Sequence, residues 1–180
     1  MQPSLLAESL SLDTLPDDRL SRLLGYWRGK CQGWRLPRRA DIDPLDFPWV
    51  LGRLGLIDVV DAPLGAPASY RVRLFGSTLA EDYGADYTGA LIDTMSPTAN
   101  AQMTWRQVEA VARQAQPVAE RVRWGYDGRR GEELRLLLPL SEDGRRVTTV
   151  IYAAVADTSL RRVVRAAHHD GAAYMAPAYA

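Results

Sequence analysis

The chain has little of what most recognisable protein chemistry is built from. Its 180 residues include one cysteine, Cys31, and two histidines, the adjacent His168 and His169. A single cysteine excludes an internal disulfide and any cysteine-based metal cluster. An adjacent histidine pair without a third ligand is a weak metal motif, so both histidines are read as part of a solvated tail. Net charge is also missing: 22 basic residues balance 22 acidic ones. Overall charge therefore gives no reason to expect a nucleic-acid or membrane partner. Lys30 is the only lysine, and the scattered arginines read as the codon bias of a GC-rich genome. No apolar run approaches the roughly 20 residues of a membrane span, and no charged-then-apolar leader opens the chain. The expected location is the cytoplasm. The rest, 47% hydrophobic, suits one domain plus extensions with a sizeable core.

Residues 1–13 are apolar and serine-rich without a firm period, and read as a loose arm or a short helix. Thr14 and Asp17 form a capping-box-like pair. Leu20, Leu23, Leu24, Trp27 and Cys31 then make one stripe of an amphipathic helix. Cys31 on that stripe reads as a small buried hydrophobe rather than a redox sensor. A connector follows from Gly33 to Pro48, with Asp43-Pro44 as a helix cap and first-turn proline. Leu54–Asp61 and Tyr70–Phe75 form a hairpin across a proline- and glycine-rich loop, Ala62–Ala68. Tyr70, Val72 and Leu74 alternate with Arg71, Arg73 and Phe75, the period of a strand with one buried face. Thr78 and Glu81 suggest a capping box for a short helix, and Gly84 and Gly89 break the chain soon after.

Ser96-Pro97 opens a long helix to about Gln116, with Ala101, Trp105, Val108, Ala112 and Ala115 on one stripe. Asp127-Gly128 and Asp143-Gly144 are hairpin dipeptides and divide the remainder into a three-stranded meander. Its last strand, Val147–Ala156, is apolar on both faces and so belongs in the interior of the sheet. The fold class expected is α+β: five antiparallel strands at about 54–61, 70–76, 117–127, 132–141 and 146–157, in the order 2-1-5-4-3. Helices cover one face and the N-terminal amphipathic helix the other. The divisions expected are an arm and helix over 1–36, a core domain over 37–157, and a helix with an alanine-rich tail over 158–180.

That order of hairpin, helical crossover and meander resembles a PAS domain. The segment Pro37-Arg38-Arg39-Ala40-Asp41-Ile42-Asp43-Pro44 is similar to the Pro-x-Arg-x-Asp-Ile-Asp-Pro leader of a bacterial PAS-like family of short stand-alone proteins. Arg73-Leu74-Phe75-Gly76-Ser77 through Thr88-Gly89 also resembles the strand-Gly-helix-Gly segment of that family, and the likeness runs from about Trp27 to Asp157. It implies a cavity between sheet and helices but no particular ligand. Asp157-Thr158-Ser159 resembles the junction through which PAS domains hand a signal to a following helix, here about Leu160–Ala167.

Cofactors leave residue-type signatures in such cavities, and those are missing. Haem needs an axial histidine on the helical side, and flavin or cinnamate photosensors need a cysteine within residues 76–116, where none lies. Haem and flavin are therefore disfavoured and no cofactor is identified. No triad, nucleophile elbow or phosphate loop is present, so an enzyme is not expected. Asp41, Asp43 and Asp46 lie close in sequence but are not read as a metal or acid-base site: Asp43 reads as a helix cap, and Asp41 and Arg39 as residues that tie the connector to the sheet by ion pairs.

By strand parity and helix stripe, Tyr83, Met95, Trp105, Trp124 and Tyr126 converge on the expected cavity, with Glu120 at one end. A lone buried charge at Glu120 would be costly, so it must be paired, solvated or ligand-bound. Phe75, Leu137, Val150, Tyr152 and Ala154 are expected on the opposite face. The Leu20, Leu23, Leu24 and Trp27 stripe should cover them, within one chain or across a two-fold dimer. The function expected is a sensory module that binds a small molecule and signals through a protein partner or homodimer. A scaffold with a filled core is the alternative, and an isomerase of apolar substrates on a small α+β barrel stands behind both.

Overall fold

In a computed structural model, which describes residues 3–60 and 68–169, Asp17 alone caps the first helix. Its carboxylate accepts the backbone N–H groups of Arg19 at 2.9 Å and Leu20 at 3.2 Å, and α1 runs Asp18–Lys30. Thr14 takes no part in the cap. Burial pushes the Asp17 carboxyl up, but the Arg19 side chain and the capping N–H groups together bring it below the usual carboxylate range. The connector then makes three short 3-10 turns. Asp43 caps the second through the Leu45 N–H, and Arg38 and Asp41 box the first. Asp41 pairs with Arg38 rather than with Arg39, so the ion pair closes a local turn and does not tie the connector to the sheet.

Six strands form one antiparallel sheet: β1 (Ser4–Ser9), β2 (Leu54–Val60), β3 (Ser69–Phe75), β4 (Val118–Tyr126), β5 (Arg129–Leu140) and β6 (Thr149–Ala156). Their order is β1-β4-β5-β6-β2-β3. The expected 2-1-5-4-3 arrangement is present as β3-β2-β6-β5-β4, with β6 in the interior between β5 and β2. The sixth strand is a correction. Residues 4–9 neither trail nor coil but pair with β4, Ser4 opposite Gly125 and Ser9 opposite Glu120. Only Leu5 of this strand is half-buried, so no alternating pattern announces it. Asp127 and Gly128 both hold positive φ, as a primed turn between β4 and β5 requires. The loop read at Ala62–Ala68 lies outside the described residues but for Ala68, and the tail Gly171–Ala180 lies wholly outside them.

The crossover elements α2 (Ser77–Tyr83) and α3 (Thr98–Gln114) cover the inner face, joined there by α4 (Leu160–His169). α2 does not begin with a Thr78–Glu81 box. Its N-cap is Gly76, whose missing Cβ would lie 2.4 Å from the Gly52 carbonyl oxygen, so only glycine fits that crossing. Asp157 caps α4 by accepting the Ser159 and Leu160 N–H groups, and Leu160, Val163, Val164 and Ala167 are buried against the sheet. His168 belongs to this helix rather than to a tail, and its Nε2 meets the Ser96 carbonyl at 3.0 Å.

The outer face is covered within the same chain. Leu20, Leu23, Leu24 and Trp27 of α1 pack on Leu136, Leu138, Leu140, Ile151 and Ala153, and Trp27 Nε1 donates to the Pro139 carbonyl at 3.0 Å. The expected partners of that stripe were the wrong parity. Leu137, Val150, Tyr152 and Ala154 face inward, beneath the crossover helices. Phe75 is also inward, although Tyr70 and Val72 already are. A bulge explains it: Leu56 lies opposite Leu74 and Ile57 opposite Val72, so Arg73 is an extra residue and the alternation reverses after it.

Burying each large side chain of the α1 stripe contributes on the order of 1.5–3 kcal/mol. Removal of residues 1–31 is therefore expected to expose the outer face and aggregate the protein. Light scattering checks this, and a truncated chain that stays folded with unchanged mass would refute it. Two turn carboxyls give a pH signature. The Arg38 side chain and N–H hold Asp41 at about 2, and the Arg146 and Arg145 N–H groups hold Asp143 at about 2, against an ordinary value of 3.8. Depressed folded-state values mean that their stabilisation is full above 3.8 and disappears as pH falls through about 2. Carboxyl titration by NMR should find both midpoints well under 3.8.

Candidate functional site

Leu134, Leu136, Leu138 and Leu140 of β5 face the α1 layer, so Glu133, Arg135 and Leu137 must face the other way. The sheet is covered on that side too, and both charges are buried, each 1% exposed. Two charges removed from water need each other and a complete set of hydrogen bonds. Arg135 Nε and Nη2 donate to Glu133 Oε1 at 3.0 and 2.6 Å. Nη1 donates to Gln107 Oε1 at 2.8 Å and Thr104 Oγ1 at 3.2 Å, and Nη2 also reaches Asn100 Oδ1 at 2.6 Å. Asn100, Thr104 and Gln107 recur at spacings of four and three, so they form one face of α3.

The far side of the pair is aromatic. Tyr83 OH donates to Glu133 Oε2 at 2.5 Å and Trp124 Nε1 donates to Oε1 at 3.0 Å. Tyr83 OH also lies 2.9 Å from Tyr152 OH and accepts from Arg135 Nη2 at 3.3 Å. With the Tyr83 proton given to Glu133, Tyr152 is the donor in the tyrosine pair. Burial drives both phenols above their ordinary value, so neither ionises at neutral pH. Burial works against the Arg135 cation, but Glu133, with Tyr152 and Tyr83, raises it well above its usual range.

The expected pocket residues occupy this side of the sheet, and two of them, Tyr83 and Met95, line one small cavity. Tyr83 and Trp124 meet edge to face at 6.2 Å and bind the charge pair. Met95 borders a residual cavity of about 10 Å³ with Ile57, Val72, Ile92 and Tyr152, room for about one water. Tyr126 is buried in the same core. Trp105 stands apart, edge-on to Tyr70 at 5.5 Å and lining a surface cleft with Gln102 and Arg106. Glu120 is paired, since its carboxylate accepts from Gln107 Nε2.

Sequence reasoning missed Glu133 and Arg135. The signal was present as two charges alternating with leucines in a strand flanked by interior β6. That reasoning found the apolar part of the α3 face, where Ala101 and Val108 are buried and Trp105, Ala112 and Ala115 pack beside them. It did not find that the buried face extends to Asn100, Thr104 and Gln107, which meet Arg135. No group of histidine, cysteine or acidic residues among those described is arranged to hold a metal ion.

Loss of one partner leaves the other charged and buried. Glu133→Gln or Arg135→Met is therefore expected to cost about 3–5 kcal/mol. The double variant Glu133→Gln/Arg135→Met should cost clearly less than the sum of the two single losses. Urea denaturation of the three proteins checks this, and additive losses would show that the two side chains do not act as a pair.

A family model of the PAS domain matches residues 17–155, from the α1 cap to the end of β6. No match to the chain was found among curated proteins or among solved structures.

Proposed function

Because the chain belongs to the PAS domain family, we propose that it is a regulatory module that acts through contacts with another protein, with its interior closed by its own side chains. The carrying observation is the Glu133–Arg135 network. It occupies the space between sheet and helices where a ligand would lie, and the cavity beside it among the described residues is about 10 Å³, against the roughly 300 Å³ or more of small-molecule sites. The donors that would recognise a polar ligand there are spent on one another. This favours the filled-core reading over a sensor that holds a small molecule among Tyr83, Met95, Trp105, Glu120, Trp124 and Tyr126.

Support for a protein partner comes from the connector. Trp34, at the tip of the Gln32–Arg35 turn, is 85% exposed, and Leu45 is 81% exposed. Large apolar side chains standing free on ordered turns are the kind that anchor protein contacts. The α1 stripe is used within its own chain, so a homodimer would have to use a surface such as this one.

Two measurements test the reading. With methyl-labelled protein and indole as a small apolar probe, the Ile57, Val72, Ile92 and Met95 methyls should show no saturable shift. Saturable shifts there would restore the interior sensor. Photo-crosslinking in cells from a benzoylphenylalanine at position 34 or 45 should give one discrete protein adduct, and no adduct at either position would count against a protein partner.

A further inference from the structure

The β3 bulge has an effect on the outer face. It turns Leu74 away from the interior and sets it beside Leu56, its partner across the hairpin. Leu56 packs on the margin of the outer core, and Leu74 is left outside it. Leu74 is 45% exposed, and between it and the connector lies a cleft of about 350 Å³. The sheet supplies Leu54, Leu56, Leu74 and Ile151, while Ile42 and Phe47 form the facing wall. The backbones of Gly52 and Gly76 border the cleft where they cross in contact.

One cation also lines this apolar space. Arg39 is half-buried, and its Nη1 is fixed by donating to the Ile42 carbonyl at 3.0 Å. Among the described residues no carboxylate stands within 4.0 Å of its guanidinium. The nearest acids are engaged otherwise: Glu142 accepts the Arg39 backbone N–H at 3.1 Å, and Asp41 pairs with Arg38. A positioned guanidinium without an ionic partner, beside an apolar trough, fits a ligand with one negative head and an apolar body. The volume lies within the range of about 300–1,000 Å³ typical of small-molecule sites.

We propose that this outer-face cleft binds a small amphipathic carboxylate, with its apolar body against Leu54, Leu56, Leu74 and Ile151 and its head on Arg39. The site is on the opposite side of the sheet from the Glu133–Arg135 network and does not depend on how the interior is read. A ligand held there would bridge the connector to the β2–β3 hairpin and so bear on the segment that carries Trp34 and Leu45.

The test uses the full chain with decanoate below its micellar concentration and 1-decanol as the uncharged control. Decanoate should bind saturably at one site, with methyl shifts confined to Ile42, Leu54, Leu56, Leu74 and Ile151. Decanol should bind at least about tenfold more weakly, and Arg39→Gln should bring decanoate down to the decanol level. Leu74→Asp should abolish both, while Arg39→Lys should keep part of the preference for the acid. Circular dichroism and melting curves confirm that each variant is folded. Equal binding of acid and alcohol, an unchanged Arg39→Gln, or absence of saturation overturns the proposal. A concentration-dependent mass lost in Leu74→Asp also overturns it, in favour of a second copy of the chain on this face. Shifts confined to Ile57, Val72, Ile92 and Met95 would instead strike at the closed interior.

Discussion

The buried pair of Glu133 and Arg135 sets the terms for everything on the inner side of the sheet. Arginine cannot be neutralised by giving up its proton, so its charge must be answered in place. Glu133 answers the charge, and α3 answers the remaining N–H groups by presenting an amide, a hydroxyl and a second amide inward. Tyr83 and Trp124 then saturate the carboxylate. Two side chains on β5 thereby fix the rotation of α3, the position of α2 and the rotamer of a buried tryptophan. A helix held by directional bonds has little freedom to slide, in contrast to one held by an apolar stripe alone.

The outer layer is held differently. α1 meets the sheet through leucines and a tryptophan, with the Trp27 bond to Pro139 as its directional element. Its contribution is area rather than geometry, and the layer is incomplete where the hairpin turns away at its bulge. The two faces of one sheet thus have opposite character. The inner is polar at its centre and closed, and the outer is apolar beneath α1 and partly open.

Much of the fold was legible because it rests on periodicity. The α1 stripe, the hairpin dipeptides and the two-faced β6 each carry a local signal that tertiary packing only has to accept. What misled was parity. Reading Tyr70, Val72 and Leu74 as one face assumes unbroken alternation, and a single extra residue at Arg73 reverses it. The stripe of α3 was incomplete rather than wrong, because its apolar residues are buried together with the amides and hydroxyl that satisfy Arg135, and polar residues do not announce themselves as core. Of the candidate site, Tyr83 and Trp124 were expected on the inner face, Tyr152 was expected on the wrong one, and the charged pair was missed. A strand pattern shows which residues share a face, and only the neighbouring strands show that both faces are sealed. β1 left almost no trace, since only Leu5 of its side chains is half-buried, and contacts such as those of Ser4 and Glu8 at the surface impose no alternation.

The position of β1 bears on the order of assembly. Ser4 bonds to the Gly125 carbonyl, 121 residues further along, so the strand that closes one edge of the sheet is made first and docked late. During synthesis at about 5–20 residues per second, its partner emerges on the order of ten seconds afterwards. Until then the segment has no template, and its short, serine-bearing composition keeps it from seeking another. Because the contact spans so much of the chain, loop closure is costly and the rest of the sheet must already be in place to offset it. Pairing of Ser4–Ser9 at that edge therefore has to wait for β4.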